Sequence, residues 1–406
     1  MRILVQKFGG SSVAKAELRQ QVVSKIIAAK KQGYSLVVVV SAIGRKGDPY
    51  ATDTLLSLAE KDNLELNSRE KDLLMSCGEI ISGVVLTGTI QKAGCKSICL
   101  SGYQAGIQTD NNYGDARILT INNERIMQLL KEDYIVVVTG FQGATHEGEI
   151  TTLGRGGSDT TASALGVTLD AEAIEIYTDV DGVKTADPRI VSDAKTLDKV
   201  TYEEVCQLAY EGAKVIHPRA VEIAAQKSIP LKIKCTFTDD EGTLVINGEY
   251  QTIEQSCRNL NDKIITGITH ISNIAQIKVP INSEDEAKAS ARVFKSLAEA
   301  GISIDFINAG VKELIFTVKE DLVDKACKIL NSLSFEPQVK LGCAKVAVVG
   351  AGMTGKPGVM ASVVDALAEE NISILQSADS HTTIWCLVDQ EVMEKAICAL
   401  HRKFCL

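Results

Sequence analysis

The sequence predicts an α/β protein: a mainly parallel sheet between helical layers, followed by two small units of β-α-β-β-α-β order. Three observations carry this. Over the first 235 residues, short β-branched runs alternate with longer stretches of helical period, the pattern of strands covered by helices on both faces. The last 140 residues repeat at an offset of 70: LAEAGISI at 297–304 returns as LAEENISI at 367–374, and LIFTV at 314–318 falls on IWCLV at 384–388. The 406 residues are 45% hydrophobic and 23% charged, a globular balance for two or three domains.

The elements follow in order. Apolar runs at 3–8, 35–41, 97–100, 135–139, 173–177 and 230–235 are of strand length, and helical periodicity marks 14–32, 69–93, 122–131, 158–169 and 214–227. Residues 236–263 are polar and poorly periodic, which predicts a linker region with one hairpin. The repeat then gives two ferredoxin-like units. The expected domains are 1–240, a linker region at 241–263, and the repeat units at 264–340 and 341–406.

Lys and Arg total 43 against 52 Asp and Glu, a formal charge of −9. A nucleic-acid binder would carry a basic excess, and none is present. The eleven cysteines include no CxxC pair and sit mostly in apolar runs, as reduced thiols used as small hydrophobes. The longest apolar runs, at 36–40 and 135–138, are too short to span a bilayer, and MRILVQKFGG has no signal-peptide character. A soluble cytoplasmic protein is expected, with no membrane or nucleic-acid partner.

Several motifs can bear chemistry. The sequence Gly350-Ala351-Gly352-Met353-Thr354-Gly355 is a literal GxGxxG between a strand and a helix. Too little chain follows it to complete a dinucleotide fold, and the matching part of the other repeat, VPINSEDEA, has no such glycines; a tight turn is the better reading. Lys7-Phe8-Gly9-Gly10-Ser11-Ser12 follows the first strand and precedes a helix, where amides, helix N-terminus and a lysine suit an anion, though a plain glycine turn reads the same way. In TLGRGGSDTTAS (152–163), Ser158 or Asp159 can cap a helix, but a cap alone has no need of Arg155. YTDVDGVKTADPR (177–189) is an aspartate-rich surface loop or a nucleotide loop; Asp179 and Asp181 could ligate or orient a metal, and no EF-hand glutamate follows. In GAKVIHPR, Lys214 is a second cation for phosphate, and His217 before Pro218 reads as a capping residue. Ser41 ends a strand where ligands gather in open α/β sheets. Glu79 is an acid in an apolar helical stretch and needs a partner, for which a substrate ammonium would serve.

In combination and in order, KFGGSSV, VVVVSA, CGE, GFQGA, GRGGSDTTA, YTDVDG, TADPR and GAKVIHPRA resemble the aspartokinases of the amino-acid kinase superfamily. The repeated tail resembles their paired ACT domains, and the chain looks most like monofunctional, diaminopimelate-sensitive members. The resemblance implies an amino-acid kinase fold and transfer of the γ-phosphoryl group of ATP, with Mg²⁺, to the β-carboxylate of L-aspartate. Lys7, Asp159 and Lys214 would be catalytic, with Asp159 orienting the lysines. Ser41, Glu79, Arg155 and Ser158 would hold aspartate, Arg155 by its α-carboxylate and Glu79 by its ammonium. Lys7, Gly9, Gly10, Thr178, Asp179, Asp181, Gly182, Arg189 and Lys214 would meet ATP, and no protein metal cage is implied. Met353, Thr354, Gly355, Pro357 and Gly358 would form an effector turn for lysine, threonine or meso-diaminopimelate, although the first repeat lacks such a turn. Assembly at least to a dimer through the ACT pairs is expected. The alternatives are an inactive amino-acid sensor, against which Lys7, Arg155, Asp159 and Lys214 all stand, and a kinase for another amino acid.

Overall fold

A computed structural model describes the 406-residue chain except for 249–263, 282–285, 311 and 354. The chain divides into two compact units. The first comprises Met1–Val183, Thr196–Tyr210 and the chain from Lys214; the second comprises Lys184–Lys195, Glu211–Ala213 and the C-terminal part from Ile264 onward.

The first unit is built on eight strands: β1 (Ile3–Phe8), β2 (Ser35–Val40), β3 (Ser97–Leu100), β6 (Ile135–Thr139), β9 (Ala173–Thr178), β10 (Lys199–Thr201), β11 (Leu231–Cys235) and β12 (Thr243–Ile246). Their order is β10-β12-β11-β9-β1-β2-β6-β3. All neighbours run parallel except the β11–β12 pair. The register sets Phe8 beside Val40 and Tyr177, and Val40 beside Thr139, so the carboxyl ends of β1, β2, β6 and β9 lie abreast. A second, four-stranded sheet combines β4 (Ile107–Thr109), β5 (Ile118–Ile121), β7 (Gln142–Ala144) and β8 (Ile150–Thr152). None of these four strands was expected from the sequence, because at three or four residues they are too short for periodicity to register.

Alternation along β1 sorts its side chains between the two faces. Leu4 and Phe8 join Val22, Val23 and Ile26 of helix Ala16–Lys31 and Leu86 and Ile90 of helix Ser68–Lys92. Lys7 points to the other face, where helix Gly157–Thr168 packs on β1, β2 and β9. Helix Ser68–Lys92 is long and apolar enough to cross a membrane by length and composition, yet it buries Asp72, Ser76 and Glu79, acids and hydroxyls that a lipid-facing helix would not carry.

Three expected features move. β12 falls in the expected linker; it pairs with β10 and β11 and belongs to the main sheet. The helix expected over 214–227 is Pro218–Gln226, entered through an extended His217, because a residue before proline is driven out of the helical region. The helix expected from 158 begins at Gly157 with Gly156 as N-cap in the left-handed region, so neither Ser158 nor Asp159 caps it.

The second unit is built on β13 (Gly267–Pro280), β14 (Asp305–Ala309), β15 (Glu313–Lys319), β16 (Gln338–Val349), β17 (Gln376–Asp379) and β18 (Thr383–Asp389). They form one six-stranded antiparallel sheet in the order β14-β15-β13-β16-β18-β17. Two long strands serve both repeats. Ala275, Ile277 and Val279 of β13 pack in the first repeat's core, while Ile268 packs in the second with Val346 and Val348 of β16. The early part of β13 pairs with the late part of β16, and the reverse. Each repeat therefore takes its fourth strand from the other's long strand, so residue 340 does not cut the tail into two contiguous halves. Gly350 allows a close approach: a Cβ there would lie 2.1 Å from the Ile264 carbonyl oxygen. This supports the tight-turn reading of GxGxxG.

Candidate active site

The carboxyl ends of β1, β2 and β9 carry Lys7, Ser41 and Thr178 from the expected set. Lys7, on the helix Gly157–Thr168 face of β1, places its Nζ 2.6 Å from Asp159 Oδ1 in the first turn of that helix, with both side chains largely buried. The Gly9 amide is not free for an anion; it donates to the Tyr177 carbonyl at 3.3 Å and extends the strand ladder. Gly10 opens the first helical turn, where a Cβ would stand 2.5 Å from Gly44 O and 2.6 Å from Ala42 O, so this position admits only glycine without a backbone shift. Ser12 Oγ bonds Thr236 Oγ1 at 2.6 Å, tying that turn to the end of β11.

Ser41 continues β2 with its amide on Phe8 O. At the next residue, the Ala42 amide donates to Glu79 Oε1 at 3.0 Å. Glu79 is 3% exposed, and its Oε2 is buried with no hydrogen-bond partner. Burial lifts this carboxyl from an ordinary 4.5 to about 8, against the opposing pull of backbone hydrogen bonds from Ala42 and its own amide. An acid held this way is short of one donor or cation. Ser158 is buried against Gly140, where a Cβ would lie 2.8 Å from Ser158 Cβ.

Arg155 and Lys214 are exposed, and neither forms an ion pair among the described residues. His217 lies against Gly156, where a Cβ would meet its ring carbon at 2.3 Å, and its buried Nδ1 has no partner. Burial lowers its pKa, with the Asp159 charge partly opposing. The expected capping hydrogen bond from its side chain is not formed.

The loop after β9 divides. Thr178 Oγ1 donates to Asp179, which Arg45 also engages. Burial opposes ionisation of Asp179, but hydrogen bonds from its backbone and Arg45 outweigh it and hold the carboxyl below its usual range. Thr196 Oγ1 donates to Asp181. Gly182 has φ +140°, and a Cβ there would lie 2.5 Å from Thr243 Oγ1. Arg189, expected at the nucleotide, groups with the second unit and pairs with Asp187. The reason is apolar: Ala186 and Val191 on either side are buried in the second repeat's core. Met353 is buried in that same core, and Gly355 and Gly358 adopt positive φ in the turn containing Pro357; Thr354 lies outside the described residues. Among those residues no three of His, Cys, Asp and Glu cluster as a metal site.

Two residues of this region were not singled out from the sequence. Asp72 is fully buried on the Glu79 helix and holds the strand leading to Arg155. The available signal was a second acid seven positions before Glu79. Arg45 in the 42–53 loop engages Asp179, and nothing in its local sequence marks it.

This fold and these motifs define an amino acid kinase with regulatory modules. The amino acid kinase family model matches residues 2–235, and ACT domain models match 284–333 and 338–402. The chain is 49% identical to Aspartokinase 1 of Bacillus subtilis (strain 168) over 404 residues, covering 100% of this chain and 99% of the relative. Among solved structures it is similar to E. coli aspartokinase III in complex with aspartate and ADP (TM-score 0.79, 25% identity, 99% of each chain). The same enzyme in complex with lysine and aspartate gives a TM-score of 0.75 at 25% identity, again over 99% of each chain. The chain belongs to the aspartokinases, ATP-dependent phosphotransferases acting on aspartate.

Proposed function

We propose that the first unit transfers the γ-phosphoryl group of MgATP to the β-carboxylate of L-aspartate with a defined division of labour. The observation that carries this is the Lys7–Asp159 pair at the end of β1, in a unit that also buries Glu79 with one oxygen unpartnered. A substrate carboxylate of pKa about 3.9 is already ionised near neutrality, so no general base is needed. What remains is positioning and charge neutralisation. Lys7 and Lys214 hold phosphate oxygens, and Asp159 fixes the Lys7 ammonium. Glu79 Oε2 receives the substrate ammonium, Arg155 grips the α-carboxylate through a bidentate pair, and Ser41 and Ser158 add hydrogen bonds. Gly10, Thr178, Asp179, Asp181 and Gly182 shape the nucleotide side. Asp159 and Asp179 are already engaged by Lys7 and Arg45, which suits Mg²⁺ held by ATP oxygens and water. Arg189 does not join this set.

The catalytic part corresponds to 1–240 extended through β12, and the tail to two interlocked ACT modules. The E. coli complex with lysine supports an amino-acid effector at the tail, with lysine, threonine and meso-diaminopimelate as candidates. The exposed edges β14 and β17 favour pairing into at least a dimer, and a cytoplasmic location fits an enzyme of ATP and a free amino acid. Trapping the product with hydroxylamine tests the reaction: hydroxamate is expected with ATP and L-aspartate and not with L-glutamate or ATP alone. Folded, Mg²⁺-supplied protein that yields none with aspartate overturns the reading. Arg155→Ala is expected to raise KM for aspartate by about 10–100-fold, the worth of a lost charge-assisted pair, with KM for ATP unchanged. Initial rates flat against all three effectors remove the regulatory part.

A further inference from the structure

We propose that Asp72 is a positioning residue for aspartate recognition, anchoring the loop that presents Arg155 to the same helix that carries Glu79; this rests on the substrate roles given above for Arg155 and Glu79. Asp72 is 0% exposed, and its carboxylate accepts three hydrogen bonds: from the Thr152 amide at 2.7 Å, the Thr152 hydroxyl at 2.8 Å and the Gly114 amide at 2.9 Å. Among the described residues it has no cationic partner. A buried carboxylate is costly unless its lone pairs are filled, and here its donors come from two chain segments that meet beside the Arg155 turn.

Those segments are locked together. The Ala116 amide donates to Thr152 O at 2.9 Å. Gly154 has φ +71°, and a Cβ there would lie 2.7 Å from Asp115 Oδ1 and 3.2 Å from Gly114 O. Arg219 donates to Leu153 O at 3.3 Å and to Ala116 O at 3.1 Å. Arg155 follows directly, exposed and with no hydrogen-bond or ion-pair partner among the described residues, so its backbone position is inherited from this lock. Asp72 and Glu79 are seven residues apart, two turns and about 10.5 Å along one helix face. One rigid element thereby sets the spacing between the group that takes the substrate ammonium and the loop that takes its α-carboxylate. A carboxylate suits the role because all three of its bonds are charge-assisted; an amide could still accept from both backbone N–H groups through its one oxygen, but it would lose the charge and turn its NH₂ toward the Thr152 hydroxyl, which would then have to accept.

The test is steady-state kinetics on the full chain with Asp72→Asn, Thr152→Val and Thr152→Ser, each alone and combined with Arg155→Ala. Asp72→Asn is expected to raise KM for aspartate about tenfold, to leave KM for ATP within about twofold, and to add nothing in the Arg155→Ala background, because its effect acts through Arg155. Thr152→Val keeps both backbone donors and is expected to show the same signature at about threefold, which keeps the proposal testable should Asp72→Asn not fold. Thr152→Ser restores the hydroxyl and the wild-type KM. Equal increases in both KM values, or additivity with Arg155→Ala, overturn the proposal alone. An unchanged KM for aspartate in Arg155→Ala by itself overturns the substrate reading, and this proposal with it.

Discussion

Burial lifts the Glu79 carboxyl from 4.5 to about 8, and two consequences follow with opposite signs. The folded chain holds a proton that the unfolded chain releases near 4.5, so Glu79's contribution to stability is fully present below that value and is lost as pH rises through about 8. Glu79→Gln removes this slope, and urea midpoints taken between pH 5 and 8.5 are expected to fall less for the variant than for the wild type. Substrate binding runs the other way. An ammonium group is taken up by the carboxylate, not the acid, so kcat/KM for aspartate is expected to climb with pH and level off above an apparent pKa near 8. A Glu79→Gln profile with the same inflection overturns this assignment. Glu79 was legible in the sequence because a lone acid in an apolar stretch demands a partner. Asp72 sits in the more polar opening of the same helix, SREKDLL, where an acid looks solvated; its burial depends on Thr152 and Gly114, far along the chain. Arg189 stands between Ala186 and Val191, which pack in the second repeat's core, while its own side chain stays exposed and pairs with Asp187.

Among the elements, β2 and β6 were readable as buried runs of valine and isoleucine, and β1 and β9 as short, largely buried apolar stretches beside longer helical patterns. Boundaries failed where a turn decided them. Pro218 starts its helix four residues later than periodicity suggests, which leaves Lys214 in a turn and free of helical constraint. β12 was hidden because TLVI is short and polar in its flanks, and only pairing with β10 and β11 makes it a strand. The turn after β1 carries a steric demand beside Lys7. A methyl group at position 10 would meet two carbonyl oxygens of the 42–44 segment, at 2.5 and 2.6 Å, and Gly44 N in turn bonds Gly10 O at 3.0 Å. Gly10→Ala must push that segment away from the Lys7 turn. A loss of about 1–3 kcal/mol is expected, read from denaturant midpoints, together with a raised KM for ATP. Wild-type stability and kinetics in Gly10→Ala would show that the segment yields freely.

For the molecule as a whole, the repeat announced two modules but not their interlocking, because sequence identity at an offset of 70 carries no information about which copy each long strand completes. Nor did it show that Glu211–Ala213, inside a catalytic-looking motif, belongs to the second unit. The physical cause is a buried charge cluster. Lys345 on β16 is 4% exposed and lies 2.8 Å from Glu211 Oε2 and 2.5 Å from Asp305 Oδ2. Burial pulls its pKa down, but Glu211 and Asp305 outweigh burial and hold it above the ordinary lysine value. The Thr269 hydroxyl donates to Glu211 O, and Gly212, at φ +115°, sits so close that a Cβ would lie 2.1 Å from His270 O. Removing only the cation strands a carboxylate that is 7% exposed, so Lys345→Met is expected to cost about 3–5 kcal/mol. Replacing both partners, as in Lys345→Met with Glu211→Leu, is expected to recover most of that loss, since a matched apolar pair avoids the desolvation penalty. Glu211 lies three residues before Lys214, so the single variant is also expected to raise KM for ATP and the double variant to restore it in part. Denaturant melts and ATP titrations on the same three proteins decide the matter: equal stability in single and double variants means the cluster is not energetically coupled, and a constant KM means Lys214 is positioned without it.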